Sequence, residues 1–197
     1  MRLIGLCGRS GSGKGVFSSV AAQNGVFVID CDAVYKELVS KPTKLLSELQ
    51  KEFGNGIIKN GALDRRVLAP IVFSDKEKLS KLNSISHRYI KIEIESILSS
   101  LPEETVVLLD APTLFESGID EMCDLIVGVV ASDEICVSRI VKRDNITEKE
   151  AKLRLSNQYP LEFIIDNCDC IIYNDQTLFD FEIASLEIVN NIKEGLL

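Results

Sequence analysis

An α/β architecture is expected for this chain: five short parallel strands in one sheet, helices flanking it, and a helical insertion between the second and third strands. Three observations lead there. Short, wholly apolar runs alternate with helix-length stretches of mixed polarity, as in strands buried on both faces and joined by crossover helices. A run of glycines follows the first apolar run directly, where a strand must turn into a helix. Residues 30–104 separate the second apolar run from the third, too long a stretch for one crossover helix.

The elements follow in order. Leu3–Cys7 reads as the first strand, with Gly8–Gly15 as a loop and helix start behind it. Val26–Ile29 is the second strand. Helical periodicity then runs through Thr43–Phe53, Arg65–Val72 and Lys76–Leu98, which places an insertion over the C-terminal edge of the sheet, the edge at which open α/β sheets bind ligands. Thr105–Leu109, Leu125–Val130 and Cys170–Ile172 complete the strands. A second helical excursion, Ser132–Ile165, separates the last two and is rich in Arg and Lys.

The 197 residues suit one compact domain with an inserted part, and 46% apolar against 26% charged residues is ordinary globular composition. A net charge of −8 argues against a general nucleic-acid binder, whose footprint is basic. Six cysteines, at 7, 31, 123, 136, 168 and 170, form no Cys-x-x-Cys pair, and the single His87 is remote from them in sequence, so no zinc site is expected. No signal peptide or run of about 18 apolar residues is present, which leads us to expect a soluble, cytoplasmic protein without a membrane span. Oligomeric state is not legible.

Gly8-Arg9-Ser10-Gly11-Ser12-Gly13-Lys14 is the Gly-x-x-x-x-Gly-Lys core of a P-loop, in the strand-to-helix context that motif requires. The glycines let successive amides face one anion, the helix N-terminus adds partial positive charge, and Lys14 offers a cation to the β- and γ-phosphates of a nucleotide. The motif ordinarily closes on a Ser or Thr that ligates Mg²⁺; here the position holds Gly15, followed by Val16. Asp30-Cys31-Asp32 ends the second strand. A carboxylate there could accept the proton of an attacking hydroxyl, or cap the helix that begins nearby; Asp32 is the candidate base and Asp30 is open between the two. Asp110, closing the apolar run Val106–Leu109, has the position of a Walker-B carboxylate beside Mg²⁺. Arg139 and Arg143 share a helix face in the second excursion and could neutralise a transferring phosphoryl group. Arg65 and Arg66, at a helix start, could bind a substrate phosphate, and His87 sits in Leu82-Asn83-Ser84-Ile85-Ser86-His87. These residues leave three readings: a kinase with one particular acceptor, another small-molecule kinase acting on a nucleoside or sugar, or a nucleotide-binding relative without catalysis, the last suggested by Gly15.

Taken together the motifs resemble the dephospho-coenzyme A kinase family, over nearly the whole chain and in order. They are residues 8–14, Ile29–Asp32, Leu63–Leu68, Ile71–Asp75, Leu82–His87, Asp110–Glu116, Arg139–Asp144, Arg154–Gln158 and Ile171–Asn174. The resemblance implies a P-loop NTPase fold in three parts: a nucleotide-binding core over about 1–40, 103–131 and 168–197, a substrate-binding insertion over about 41–102, and a lid over about 132–167. It implies ATP-dependent phosphorylation of the ribose 3′-hydroxyl of dephospho-coenzyme A, with Mg²⁺. Onto this chain it carries catalytic roles for Asp32, Lys14 and Arg139. ATP contacts fall to Gly8, Ser10, Gly11, Ser12, Gly13, Lys14, Gly15, Val16 and Arg143, with adenine near Asn174 and Asp175. Substrate contacts fall to Asp32, Arg65 and His87, and the metal to Asp110 and Asp32. The chain departs from the family's pattern at Gly15-Val16, at Arg88 where a Pro usually follows the His, at Cys136 and at Gln176.

Overall fold

The computed structural model describes residues 1–197, which divide into two compact units: Met1–Ile29 with Pro102–Leu197, and Asp30–Leu101. In the first unit the five strands are β1 (Arg2–Cys7), β2 (Phe27–Asp30, its last residue already in the second unit), and the three strands numbered β5 to β7 after a hairpin described below: β5 (Val106–Asp110), β6 (Leu125–Val130) and β7 (Cys170–Tyr173). They lie in the order β2-β5-β1-β6-β7, with β1 parallel to β5 (Leu3 opposite Val107) and to β6 (Gly5 opposite Ile126), and β6 parallel to β7. The strands fall within a residue or two of their expected places because buried parallel strands are apolar on both faces, and runs such as Val107-Leu108-Leu109 have no other reading.

The sheet's core is closed by α1 (Lys14–Gln23) and by the C-terminal helix, α9 (Leu178–Glu194), which pack on each other. Phe17 of α1 and Phe181 of α9 are sealed from solvent among Ile4, Leu6, Val127 and Val129. Thr177 and Asp180 form a reciprocal capping box at the start of α9. Between β6 and β7 come α6 (Asp133–Asp144), α7 (Glu148–Ser156) and α8 (Leu161–Asn167), and a second small core of Cys136, Val137, Ile140, Ala151 and Leu155 joins α6 to α7. These three helices, expected as a lid, belong to the same unit as the sheet.

The second unit holds α2 (Cys31–Ser40), α3 (Lys44–Phe53), α4 (Arg65–Phe73) and α5 (Lys76–Ser99), with α5 packed against the other three. Helix α2 therefore groups with the insertion, and the division falls at residue 29 rather than near 40. Thr43 caps α3 through Leu46 N (3.1 Å) and gives its own proton to Leu38 O (2.7 Å), which fixes the α2–α3 turn. One element was not expected: a small hairpin of β3 (Ile58–Lys59) and β4 (Ala62–Leu63). Its two-residue turn, Asn60-Gly61, has positive φ at both positions (52° and 78°), the pattern of an Asn-Gly type I′ turn.

Candidate phosphate-binding site

The loop after β1 is bent by glycines that no other residue could replace. Gly8 and Gly13 have φ of 149° and 113°; a Cβ on Gly8 would strike the Val129 carbonyl, and one on Gly13 the Asn174 amide. Gly13 also stands at the N-cap of α1, where no side chain accepts a hydrogen bond, so the helix start keeps its affinity for an external anion. The Ser12 hydroxyl is buried inside the loop with no partner in the protein. Lys14 Nζ donates to Gly8 O at 2.5 Å, which holds the ammonium within the curl.

Carbonyls of the loop are met by a cation and an amide from further along the unit. Arg139 of α6 donates to Gly11 O (3.3 Å), Ser12 O (3.4 Å), Asn174 O (3.1 Å) and Asn174 Oδ1 (3.2 Å). Asn174, buried after β7, adds Nδ2 to Ser12 O at 2.7 Å. Arg139, the candidate for neutralising a transferring phosphoryl group, bonds the loop carbonyls through Nη1 and Asn174 through Nη2 in this structure. Asn174 and Asp175, expected near adenine, are likewise engaged, Asp175 Oδ1 accepting from Ser132 N (2.8 Å) just before α6.

The outer side of the loop is tied to α6 and α7. Arg9, 8% exposed, pairs with Asp133 at 2.5 Å and reaches Leu155 O at 3.4 Å. Ser10 N donates to Gln158 Oε1 (2.9 Å), and Arg143 Nη2 to Ser10 Oγ (3.3 Å). Arg143 is itself held in two contacts by Asp144 (2.7 and 2.9 Å), with Arg154 on the same carboxylate. Those two guanidinium groups, Arg143 first, hold the Asp144 carboxyl down to about 2. A cavity of about 870 Å³ opens between α6 and α7 beside Arg9, Lys142 and Lys152; it is a groove of these helices and does not include Lys14.

At the end of β5, Asp110 Oδ2 accepts the Ser18 hydroxyl of α1 at 2.6 Å. Gly15 is open, and a Cβ there meets nothing within 4 Å, so packing does not impose the glycine. Val16 is half-buried against the sheet core. Of the thiols, Cys7 and Cys168 lie Sγ to Sγ at 3.1 Å.

The remaining candidates lie in the other unit. Asp30 caps α2, its Oδ1 accepting from Ala33 N at 3.0 Å, which assigns it a structural role and leaves Asp32 exposed in the first turn. The Arg65 guanidinium lies over the Tyr35 ring at 5.4 Å, a contact absent from any local pattern because the partners sit on α4 and α2. His87 is half-buried on α5, and burial followed by Lys91 pushes its imidazole pKa down. Arg88 donates from Nη2 to both carboxylate oxygens of Glu48 (2.5 and 2.6 Å) and ties α5 to α3.

An uncapped helix start behind a glycine loop, with a lysine curled back over it, answers to the phosphates of a nucleotide, and on a five-stranded parallel sheet these features define a P-loop kinase. The particular group follows from comparison. The family model for dephospho-CoA kinase matches residues 2–180, and the chain belongs to that family. A dephospho-CoA kinase of Fusobacterium nucleatum is 38% identical over 179 residues, covering 90% of this chain and 92% of the relative. One from Aquifex aeolicus is 36% identical, over 90% and 91%. Among solved structures, TT1252 from Thermus thermophilus superposes with a TM-score of 0.82 at 30% identity, covering 97% of both chains.

Because Arg139 bonds the resting loop, Arg139→Ala should act on nucleotide binding: KM for ATP rises about tenfold or more, as expected for charged hydrogen bonds of 1.5–3 kcal/mol. Steady-state kinetics check this, and a loss confined to kcat would return Arg139 to the transferring group. His87 gives a pH dependence. Its folded pKa is depressed, so the unfolded chain takes up the proton more readily, and stability is full above pH of about 6.5 and falls as the pH drops below it. Melting curves from pH 8 to 5.5 should therefore fall more steeply for the wild type than for His87→Gln.

Proposed function

We propose that the protein transfers the γ-phosphoryl group of ATP to the ribose 3′-hydroxyl of dephospho-coenzyme A, giving coenzyme A and ADP, and that it does so in the cytoplasm. The observation that carries this reading is the P-loop itself: an uncapped helix start behind a glycine loop, with Lys14 curled back over it, matches a nucleotide's phosphates, within a chain whose family is that of dephospho-CoA kinase. That no helix is long and apolar enough to cross a membrane is consistent with it.

Each residue then has a task. The loop amides and the start of α1 bind the β-phosphate region, and Lys14 swings from Gly8 O to neutralise charge as the terminal phosphoryl leaves. Asp32 accepts the proton of the 3′-hydroxyl while that oxygen bonds to phosphorus and the bond to ADP breaks. Arg65 and His87 serve the acceptor, an exposed cation and a neutral imidazole suited to phosphate and hydrogen-bonded contacts respectively. Arg139 and Asn174 keep the loop in shape.

The residues present fit Mg²⁺ only as part of a nucleotide complex. No group of three or more His, Cys, Asp or Glu lies together to hold an ion. The site does offer a hard oxygen donor in Asp110, and Mg²⁺ ordinarily takes one or two carboxylates with phosphates and waters. Asp110 would hold it, and the ion when bound would supply charge neutralisation on the transferring phosphates.

Purified protein with ATP, Mg²⁺ and dephospho-coenzyme A should form coenzyme A, with nucleosides and sugars as poor acceptors; preference for one of those would overturn the assignment. In the same assay Asp32→Asn should lower kcat by about 100-fold, the usual worth of a general base, with ATP affinity almost unchanged. Gly15→Ser, for which there is room, should shift the Mg²⁺ requirement to lower concentration at saturating ATP, with kcat unchanged or raised. An unaltered or weaker metal dependence would show that a hydroxyl at residue 15 is not what the loop lacks.

A further inference from the structure

P-loop enzymes hold their Mg²⁺ with a loop hydroxyl and a carboxylate from a neighbouring strand. This chain has the carboxylate, Asp110, and no hydroxyl at residue 15. Neither space nor backbone demands glycine there: an added Cβ would meet nothing within 4 Å, and Gly15 is not among the glycines with positive φ. The hydroxyl that does reach Asp110 belongs to Ser18, at 2.6 Å.

Ser18 follows Lys14 by four residues and Gly15 by three, so all three lie along one face of α1. A serine inside a helix commonly bonds back to the carbonyl one turn earlier. Ser18 donates instead across to the adjacent strand, where Oδ2 of Asp110 is fixed by it. The helix rises about 1.5 Å per residue, so this hydroxyl starts about 4.5 Å further from the loop than one at residue 15 would. It is thus placed to orient the carboxylate, whereas direct ligation beside the β-phosphate would require a residue nearer the loop.

We propose that Ser18 is a positioning residue for the metal side of this site: its hydroxyl, one turn along α1, takes over from the missing loop hydroxyl by fixing Asp110 towards the Mg²⁺ of a Mg–nucleotide complex. The inference rests on the nucleotide reading above and adds a residue that no P-loop motif contains. It also gives Gly15 a context, since the carboxylate no longer depends on a side chain at that position.

The test is calorimetric and independent of turnover. ADP affinity is measured with Mg²⁺ and with EDTA for the wild type, Ser18→Ala, Ser18→Thr, and Ser18→Ala combined with Gly15→Ser. The expected result is that Ser18→Ala loses about tenfold or more of the Mg²⁺-dependent gain in affinity, the worth of one hydrogen bond to a charged group, with the EDTA value unchanged. Ser18→Thr should retain the gain, and Gly15→Ser should restore part of it in the double variant. Equal Mg²⁺ gains in wild type and Ser18→Ala overturn the proposal, as does a loss of the same size with EDTA, which would mark the bond as a strut between α1 and β5. A wild type that binds ADP with no Mg²⁺ gain overturns it too. A wild type that does not bind ADP overturns the nucleotide reading itself.

Discussion

The glycine loop after β1 leaves backbone carbonyls inside the protein, and buried carbonyls need donors. Much of what surrounds residues 8–13 follows from that constraint. Gly8 O takes the Lys14 ammonium, Gly11 O and Ser12 O take Arg139, and Ser12 O takes the Asn174 amide as well. Two of those donors come from beyond β6, so the distant half of the unit exists in part to finish the loop. The same constraint explains why Asn174 is buried: its Nδ2 and Oδ1 join the loop carbonyl to the arginine that shares it.

The strands, the loop and the helices of the insertion were legible because their signals are local: continuous apolar runs, glycines at a strand end, apolar residues spaced along a helix. The hairpin at Ile58–Leu63 was equally local, and Asn60-Gly61 was the sign of it; two-residue strands are simply too short to show alternation. What sequence could not assign was which of two similar residues does which job. Asp30 and Asp32 are separated by one residue, and only the bond to Ala33 N makes the first a cap. Arg139 was picked out by its helix face, but its partners lie far along the chain in the loop and after β7, where no spacing rule reaches. Ser18 escaped notice because a serine one turn into a helix is ordinary until Asp110 is seen against it.

A chain of net charge −8 nevertheless assembles cations around the loop, and pairing is what makes this possible. Arg9 is nearly buried against Asp133, and Arg143 and Arg154 converge on Asp144. Each arginine is thereby oriented by a carboxylate on α6. Because Arg9 and Ser10 are both fastened to α7 or the residues just after it, a displacement of those helices would be felt by the loop backbone directly. Arg88 shows the same economy in the helical unit, where its pairing with Glu48 does the bracing between α5 and α3.

The placement of the helical unit inside the sheet's sequence has a consequence for how the chain reaches this structure. Strand β1 has no neighbour nearby in sequence: it lies between β5 and β6, and the whole of Asp30–Leu101 is synthesised before β5 appears. The helical unit makes its contacts within Asp30–Leu101, α5 closing it against α2, α3 and α4, so it can form before β5 is made, whereas the sheet must wait for more distant pairings. Until β5 emerges from the ribosome, β1 and its glycine loop are an apolar edge and an unsupported turn. The interval between those two events is the stage at which this chain is most exposed to aggregation.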